Sequence, residues 1–221
     1  MVSQPQSASS KAHARSELLA ARAAKEIRSR TLDDEALVQR LQSWLATSVG
    51  DLTEPVIAAY VPAGDEPGAT LPGENTGQGF VDHLVSAIAN ARLMLPVCPL
   101  GAPQPLRWGY YTGTLRKGRF GLLEPVPADS AFAPGELEQA DAIILPALAA
   151  DPVTGMRLGR GAGYYDRSLV FARREESAAH PAAIAVVVFD EELREGLAFD
   201  THDIPADFVI TPSAIRRTQV H

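Results

Sequence analysis

The stretch that most constrains this chain runs from Gly155 to Arg167 and reads Gly-Met-Arg-Leu-Gly-Arg-Gly-Ala-Gly-Tyr-Tyr-Asp-Arg. Gly159, Gly161 and Gly163 alternate, so the backbone is free to take positive φ and no Cβ keeps a ligand from its N–H groups. Upstream, Ala142-Ile143-Ile144-Leu145 is a continuous apolar run, as in strands buried on both faces, and Tyr164 to Ala172 predicts a helix directly after the glycines. Buried strand, glycine loop and helix N-terminus in that order imply an α/β fold with an anion site at the loop. Arg157 and Arg160 add fixed positive charge, and Asp166 adds a hard oxygen donor beside the place for a phosphate-bound metal.

Neither common nucleotide motif fits. A P-loop carries Lys and then Ser or Thr after its last glycine, where this chain has Tyr164 and Tyr165. A dinucleotide fingerprint is Gly-x-Gly-x-x-Gly in the first βαβ unit, whereas this is Gly-x-Gly-x-Gly late in the chain, with extra arginines. The plain alternative is a tight glycine turn with surface arginines, and the paired tyrosines with Asp166 weigh against it. The stretch reads as a grip for a nucleoside triphosphate.

Charge distribution narrows the ligand further. The chain carries a net charge of −7, which argues against nucleic acid as a partner. Against that background residues 11–30 hold six Lys or Arg and two Glu, and residues 155–167 hold three Arg and one Asp, so an anionic small molecule is expected. With 221 residues, 46% of them hydrophobic, there is core enough for one domain. No run of 18 apolar residues occurs and Met1 to Ser10 is polar, so a cytoplasmic protein away from the membrane is expected. A single cysteine, Cys98, excludes an internal disulfide and a multi-cysteine metal site; its apolar neighbours predict a small buried hydrophobe.

Taken in order, Lys11 to Ser29 lacks Gly and Pro and predicts a helix. Lys11, Arg15 and Arg22 fall within about 40° of one another on it, apart from an apolar stripe of Leu19, Ala23 and Ile27. Thr31 with Asp34 marks a second helix start, and Leu37, Leu41 and Leu45 carry that helix to about Val49. Residues 55–61 read as a buried strand. Residues 62–79, with three Pro and five Gly, are a loop at its C-terminal end, where α/β folds bind ligands. A helix over 80–91 and strands over 93–97, 106–112, 182–189 and 207–210 complete a mainly parallel sheet flanked by helices on both faces. One domain is expected over 11–213, between a disordered tail at 1–10 and a C-terminal tail at 214–221.

The run Leu145-Pro146-Ala147-Leu148-Ala149-Ala150-Asp151, followed by residues 155–167, resembles the signature of the 5-formyltetrahydrofolate cyclo-ligases, also called methenyltetrahydrofolate synthetases. Two residues depart from that pattern: Ala147 replaces the usual Gly and Ala150 the usual Phe. The resemblance implies ATP- and magnesium-dependent cyclisation of 5-formyltetrahydrofolate to 5,10-methenyltetrahydrofolate, through a phosphorylated formyl group; a monomer is expected. Lys11 and Arg15 match the Lys-x-x-x-Arg that reaches the nucleotide phosphates from the first helix, and Arg157, Leu158, Gly159, Arg160, Gly161, Ala162, Gly163, Tyr164 and Tyr165 match the ATP loop. Asp166 and Asp203 are implied as magnesium ligands, with His202 in a positioning or surface role. Val61 and Glu66 fall to the folate, the loop over 67–79 being an insertion. Trp108 suits either ring stacking or core packing and is placed with the folate too. Phe120 to Pro125 resembles a further family segment. Arg160 and Tyr164 stand where both ligands meet and are the expected catalytic residues. Two other classes compete: a nucleotide-binding regulatory protein of the same fold without cyclo-ligase activity, and a Rossmann oxidoreductase, which the arginines disfavour.

Overall fold

The structure, a computed structural model, describes residues 8–126, 134–172, 181–200 and 203–219. Helices α1 (Ala8–Ala24) and α2 (Ile27–Val49) lead into β1 (Val56–Ala58); α3 (Gln78–Val85), β2 (Arg92–Val97) and β3 (Arg107–Tyr110) follow. A small hairpin of β4 (Leu115–Lys117) and β5 (Leu123–Pro125) precedes β6 (Ala142–Pro146). Next come β7 (Ala149–Ala150), β8 (Arg157–Leu158), α4 (Tyr164–Leu169), β9 (Ala183–Val187), β10 (Phe208–Ile210) and β11 (Ile215–Arg217). The main sheet has the order β11-β10-β9-β6-β1-β2-β3. Its five inner strands are parallel, and β3 and β11 run antiparallel at the two edges.

The apolar runs are unbroken because both faces of the inner strands are covered. Ile57, Ile144, Val187 and Ile210 point to the face held by Leu37, Leu41 and Leu45 of α2 and Phe80 and Leu84 of α3. Their neighbours Ala58, Ile143, Val186 and Val209 point to the opposite face, beneath Leu137 and Leu169. Each fully buried leucine contributes about 1.5–3 kcal/mol, so the two half-cores carry the fold.

The ends of the chain differ from expectation. Residues 8–10 of the expected tail are helical, and the expected tail after 214 contains β11, whose register pairs Ile210 with Ile215. The first helix stops at Ala24 without Gly or Pro, because Glu26 takes an extended ψ of 137°. Side-chain contacts hold this break: the Lys25 ammonium meets Asp33 at 2.5 Å and Glu191 at 2.6 Å, and the Arg30 guanidinium donates to the Arg22 carbonyl at 3.3 Å. The expected apolar stripe is also displaced, since Ala23 and Ile27 are exposed while Leu18 and Arg22 are buried. Leu18 packs on Leu148, Ala149 and Leu158. α1 therefore lies cationic face inward, across strand ends whose polar groups take its charges.

Asp34 opens no helix. It sits inside α2, fully buried, where its carboxylate accepts the Gly68 N–H at 2.7 Å, the Thr70 N–H at 2.9 Å and the Thr70 hydroxyl at 2.7 Å. The loop after β1 is thereby tied to α2, and α3 is confined to Gln78–Val85 rather than reaching residue 91.

Candidate active site

Parallel strands end together, so the segments after β1, β2, β6 and β9 gather along one edge of the sheet, and ligands of open α/β sheets bind there. α1 crosses this edge, and between them opens a cleft of about 1420 Å³.

The glycine stretch does not follow β6 directly. β7 and β8 first form an antiparallel pair, and Asp151 closes the turn between them. Its Oδ1 accepts the N–H groups of Val153 at 2.8 Å and Thr154 at 3.1 Å, and its Oδ2 that of Gly196 at 2.8 Å. Burial acts to raise this carboxyl's pKa, and the N–H donors overcome it, so the net shift is downward. Gly155 has φ +72°, and a Cβ there would stand 2.0 Å from the Ala206 carbonyl oxygen, so only glycine fits. α4 ends at Leu169, short of Ala172, and six residues make a weak dipole. Positive potential at the loop comes instead from side chains.

Those side chains arrive from three elements. From α1, Arg15 Nε donates to the Gly159 carbonyl at 2.9 Å, and its guanidinium carbon would lie 3.4 Å from a Cβ on Gly161. Lys11 pairs with Asp200 at 3.0 Å. From β8, Arg157 donates to the Ile204 carbonyl at 2.6 Å and pairs with Asp166. Burial lowers the Arg157 pKa, and Asp166 and Asp203 act against that shift. From the loop itself, Arg160 spans the cleft: Nε reaches Glu66 Oε1 at 3.1 Å and Nη2 reaches Asp65 Oδ1 at 3.1 Å. Glu66 Oε2 accepts the Ala63 N–H at 3.1 Å. Burial pushes the Glu66 carboxyl above its ordinary pKa, and the Arg160 charge opposes it.

Arg22, grouped in the sequence with Lys11 and Arg15, is 3% exposed and takes no place among the cleft's free charges. It meets Glu192 through two bonds, of 2.5 and 2.8 Å, and donates to the Ala147 carbonyl at 2.5 Å. The pair clamps α1 to the segments after β6 and β9.

Lys11, Arg15, Val61, Glu66, residues 157–166 and Asp203 all line the cleft. Trp108 does not. It is 1% exposed in the half-core beside Val56 and Met94, with its indole N–H among the buried donors lacking a partner. Antiparallel pairing of β3 with β2 sets Trp108 opposite Pro96 and turns it to the covered face. The aromatic ring on the cleft wall is Phe120, 70% exposed at φ +59°, with the Arg119 guanidinium 4.5 Å from its centroid. Its flanking glycines, Gly118 and Gly121, were the sequence signal for a turn that presents it. Cys98 is only half-buried and lines the cleft at the end of β2, where its hydrogen bond to the Tyr164 hydroxyl raises the phenol's pKa. His202 lies outside the described residues.

Among the described residues no cluster of three or more His, Cys, Asp or Glu forms a metal cage. Magnesium bound through phosphate oxygens and waters needs only one or two carboxylates. Asp166 and Asp203 both line the cleft and both act on Arg157, so the donor set fits that ion.

A family profile decides the lineage: that of the 5-formyltetrahydrofolate cyclo-ligase family matches residues 7–212. The chain belongs to the 5-formyltetrahydrofolate cyclo-ligase family. It is 38% identical over 183 residues to the 5-formyltetrahydrofolate cyclo-ligase of Mycolicibacterium smegmatis, covering 80% of this chain and 83% of that one. With the Escherichia coli K12 cyclo-ligase it shares 32% identity over 145 residues, 65% of this chain and 74% of that one. The fold matches the Aquifex aeolicus 5,10-methenyltetrahydrofolate synthetase with a TM-score of 0.66 at 23% identity, covering 96% and 94% of the two chains. The Mycoplasma pneumoniae 5,10-methenyltetrahydrofolate synthetase matches with a TM-score of 0.63 at 18% identity, over 91% and 98%. As a family member the chain keeps its two departures in packed positions, Ala147 being 5% exposed and Ala150 fully buried. None of its described helices is long and apolar enough to cross a membrane.

Proposed function

We propose that this protein cyclises 5-formyltetrahydrofolate to 5,10-methenyltetrahydrofolate, with ATP converted to ADP and phosphate. The observation that carries this is Arg160. Its one guanidinium belongs to the glycine loop and is bonded to Glu66 across the cleft, so the phosphate grip and the carboxylate pocket are the same site. In this reading Lys11, Arg15, Arg157 and the backbone of 159–163 hold the triphosphate. Glu66, with Val61 beside it, receives pterin N–H donors, a pairing suited to a carboxylate. Phe120 replaces Trp108 as the aromatic surface for the ligand's rings.

The formyl oxygen on N5 is an amide oxygen and leaves poorly. Transfer of the γ-phosphoryl to that oxygen releases ADP and gives an iminium phosphate. N10 then attacks the formyl carbon and loses its proton, and phosphate departs with the oxygen. Such chemistry needs positioning and charge neutralisation rather than a protein nucleophile. Arg160 leaves its carboxylate partners to neutralise the transferring phosphoryl, and Tyr164, which also lines the cleft, orients the formyl group. Asp166 and Asp203 would hold magnesium, whose contribution when bound is to neutralise the phosphate oxygens.

The test is absorbance in the methenyl-folate band after purified protein is mixed with magnesium, ATP and 5-formyltetrahydrofolate. We expect an ATP-dependent rise. Bound ATP with no rise would refute cyclisation and leave a nucleotide-binding regulatory protein of the same fold.

A further inference from the structure

Asp34 is a costly residue where it stands. It is fully buried within α2 and does not line the cleft. Burial raises its carboxyl above the ordinary pKa even though hydrogen bonds and the Arg30 charge act against that shift. An apolar side chain would fill such a position with no charge to desolvate. The carboxylate instead grips one short segment: Oδ1 accepts the Gly68 N–H at 2.7 Å, and Oδ2 accepts the Thr70 N–H at 2.9 Å and the Thr70 hydroxyl at 2.7 Å.

That segment follows Glu66 directly. Ala69, between the two gripped residues, donates its N–H to the Glu66 carbonyl at 3.0 Å, and the Glu66 N–H reaches the Ala63 carbonyl at 3.2 Å. Glu66 thus sits in a closed turn, and Asp34 holds the end of it. A second tie acts on the same turn: Tyr60, just after β1, donates its hydroxyl to the Pro67 carbonyl at 2.7 Å, and its ring lies 5.0 Å from that of Phe80. Gly68, at φ +93°, runs so close to Phe80 that a Cβ would stand 2.4 Å from the ring. Without such anchors a stretch with five glycines between 62 and 79 would sample many positions.

We infer that Asp34 is a positioning residue for the reaction, fixing where Glu66 meets the folate and, through Glu66, where the Arg160 guanidinium rests 3.1 Å from it. This rests on the reading of Glu66 as the folate's carboxylate. If the turn were loose, the apparent affinity for folate would fall by the fraction of molecules that hold Glu66 in place. The elements that grip the triphosphate do not share this anchor: Arg22 and Glu192 clamp α1, and Asp151 closes the turn before the glycine loop. Loss of the Asp34 tie therefore acts on one ligand and spares the other.

The experiment is equilibrium titration of the native protein and of Asp34→Asn, Thr70→Val, Thr70→Ser and Glu66→Ala with 5-formyltetrahydrofolate and, separately, with ATP. Asn keeps the volume of Asp34 but sets an amide N–H group against a donor, so at least one bond to a charge is lost and folate affinity should fall roughly ten- to a hundredfold. Thr70→Val, at a half-buried site, removes only the hydroxyl bond and should lose roughly three- to tenfold. Thr70→Ser keeps the hydroxyl and should bind folate as the native protein does. ATP affinity should stay native in all three. Folate affinity unmoved in Asp34→Asn or in Thr70→Val, where Glu66→Ala has lost it, overturns the inference. So does an equal loss of ATP affinity, or a Thr70→Ser protein as weak as Thr70→Val, since either would mark the contact as structural only. Should Asp34→Asn fail to fold, the two Thr70 variants decide. Folate affinity that Glu66→Ala leaves unmoved would sink the folate reading of the cleft, and this inference with it.

Discussion

Glu192→Ala is the substitution whose effect the structure sets most closely. Glu192 is 2% exposed and Arg22 3%, and the carboxylate supplies two of the three acceptors that the buried guanidinium has. Removing it strands a charge on one carbonyl, that of Ala147. Breaking a buried pair from one side costs about 3–5 kcal/mol, which for a domain of this size lowers Tm by roughly 6–20 °C. Removing both charges at matched volume, in Arg22→Met/Glu192→Leu, takes away the stranded charge and leaves two neutral groups unpaired, the Ala147 carbonyl and the Phe189 N–H that Glu192 accepts at 2.9 Å, at about 1–3 kcal/mol each, the second of them lost in Glu192→Ala as well. The double variant should therefore melt above Glu192→Ala. Differential scanning calorimetry on the native protein, both singles and the double would measure this. The same clamp holds α1, which carries Lys11 and Arg15, so Glu192→Ala should also raise the KM for ATP more than that for the folate. A double variant as unstable as the sum of the singles would refute the clamp, as would a KM for ATP unmoved in a folded Glu192→Ala protein.

Two further outcomes follow from the cleft. Arg160→Ala should lower kcat by about two to three orders of magnitude, the scale for one transition-state donor, with a smaller effect on folate binding; unchanged turnover would remove Arg160 from the mechanism. Folate binding should strengthen as pH rises through the folded pKa of Glu66, because only the ionised carboxylate accepts pterin N–H bonds. Burial raises that pKa and Arg160 opposes the rise, so Arg160→Ala should move the binding transition to higher pH, and a transition in the ordinary carboxylate range in both proteins would contradict it.

The glycine loop and its arginines were legible because their chemistry is local: spacing alone puts Gly159 to Tyr164 in one turn, and the structure keeps them on the cleft. Lys11 and Glu66 were assigned through the family resemblance, and both line the cleft. Trp108 was misplaced because a strand's facing depends on its partner. Only pairing with β2, which sets Trp108 against Pro96, sends the ring to the core.

By itself the sequence determined the alternation of buried strands and amphipathic helices, hence a mainly parallel sheet, and the clustering of glycines and arginines after residue 155 that reads as an anion site. Periodicity and glycine spacing are properties of neighbours along the chain, and they survive without tertiary context. Only the tertiary structure decided that Arg22 is a buried clamp while Lys11 and Arg15, on the same face of α1, reach the cleft. It alone decided that Asp34 anchors a loop more than thirty residues away. A charged side chain's role depends on whether a partner distant in sequence desolvates it, and that partner is fixed only when the chain closes.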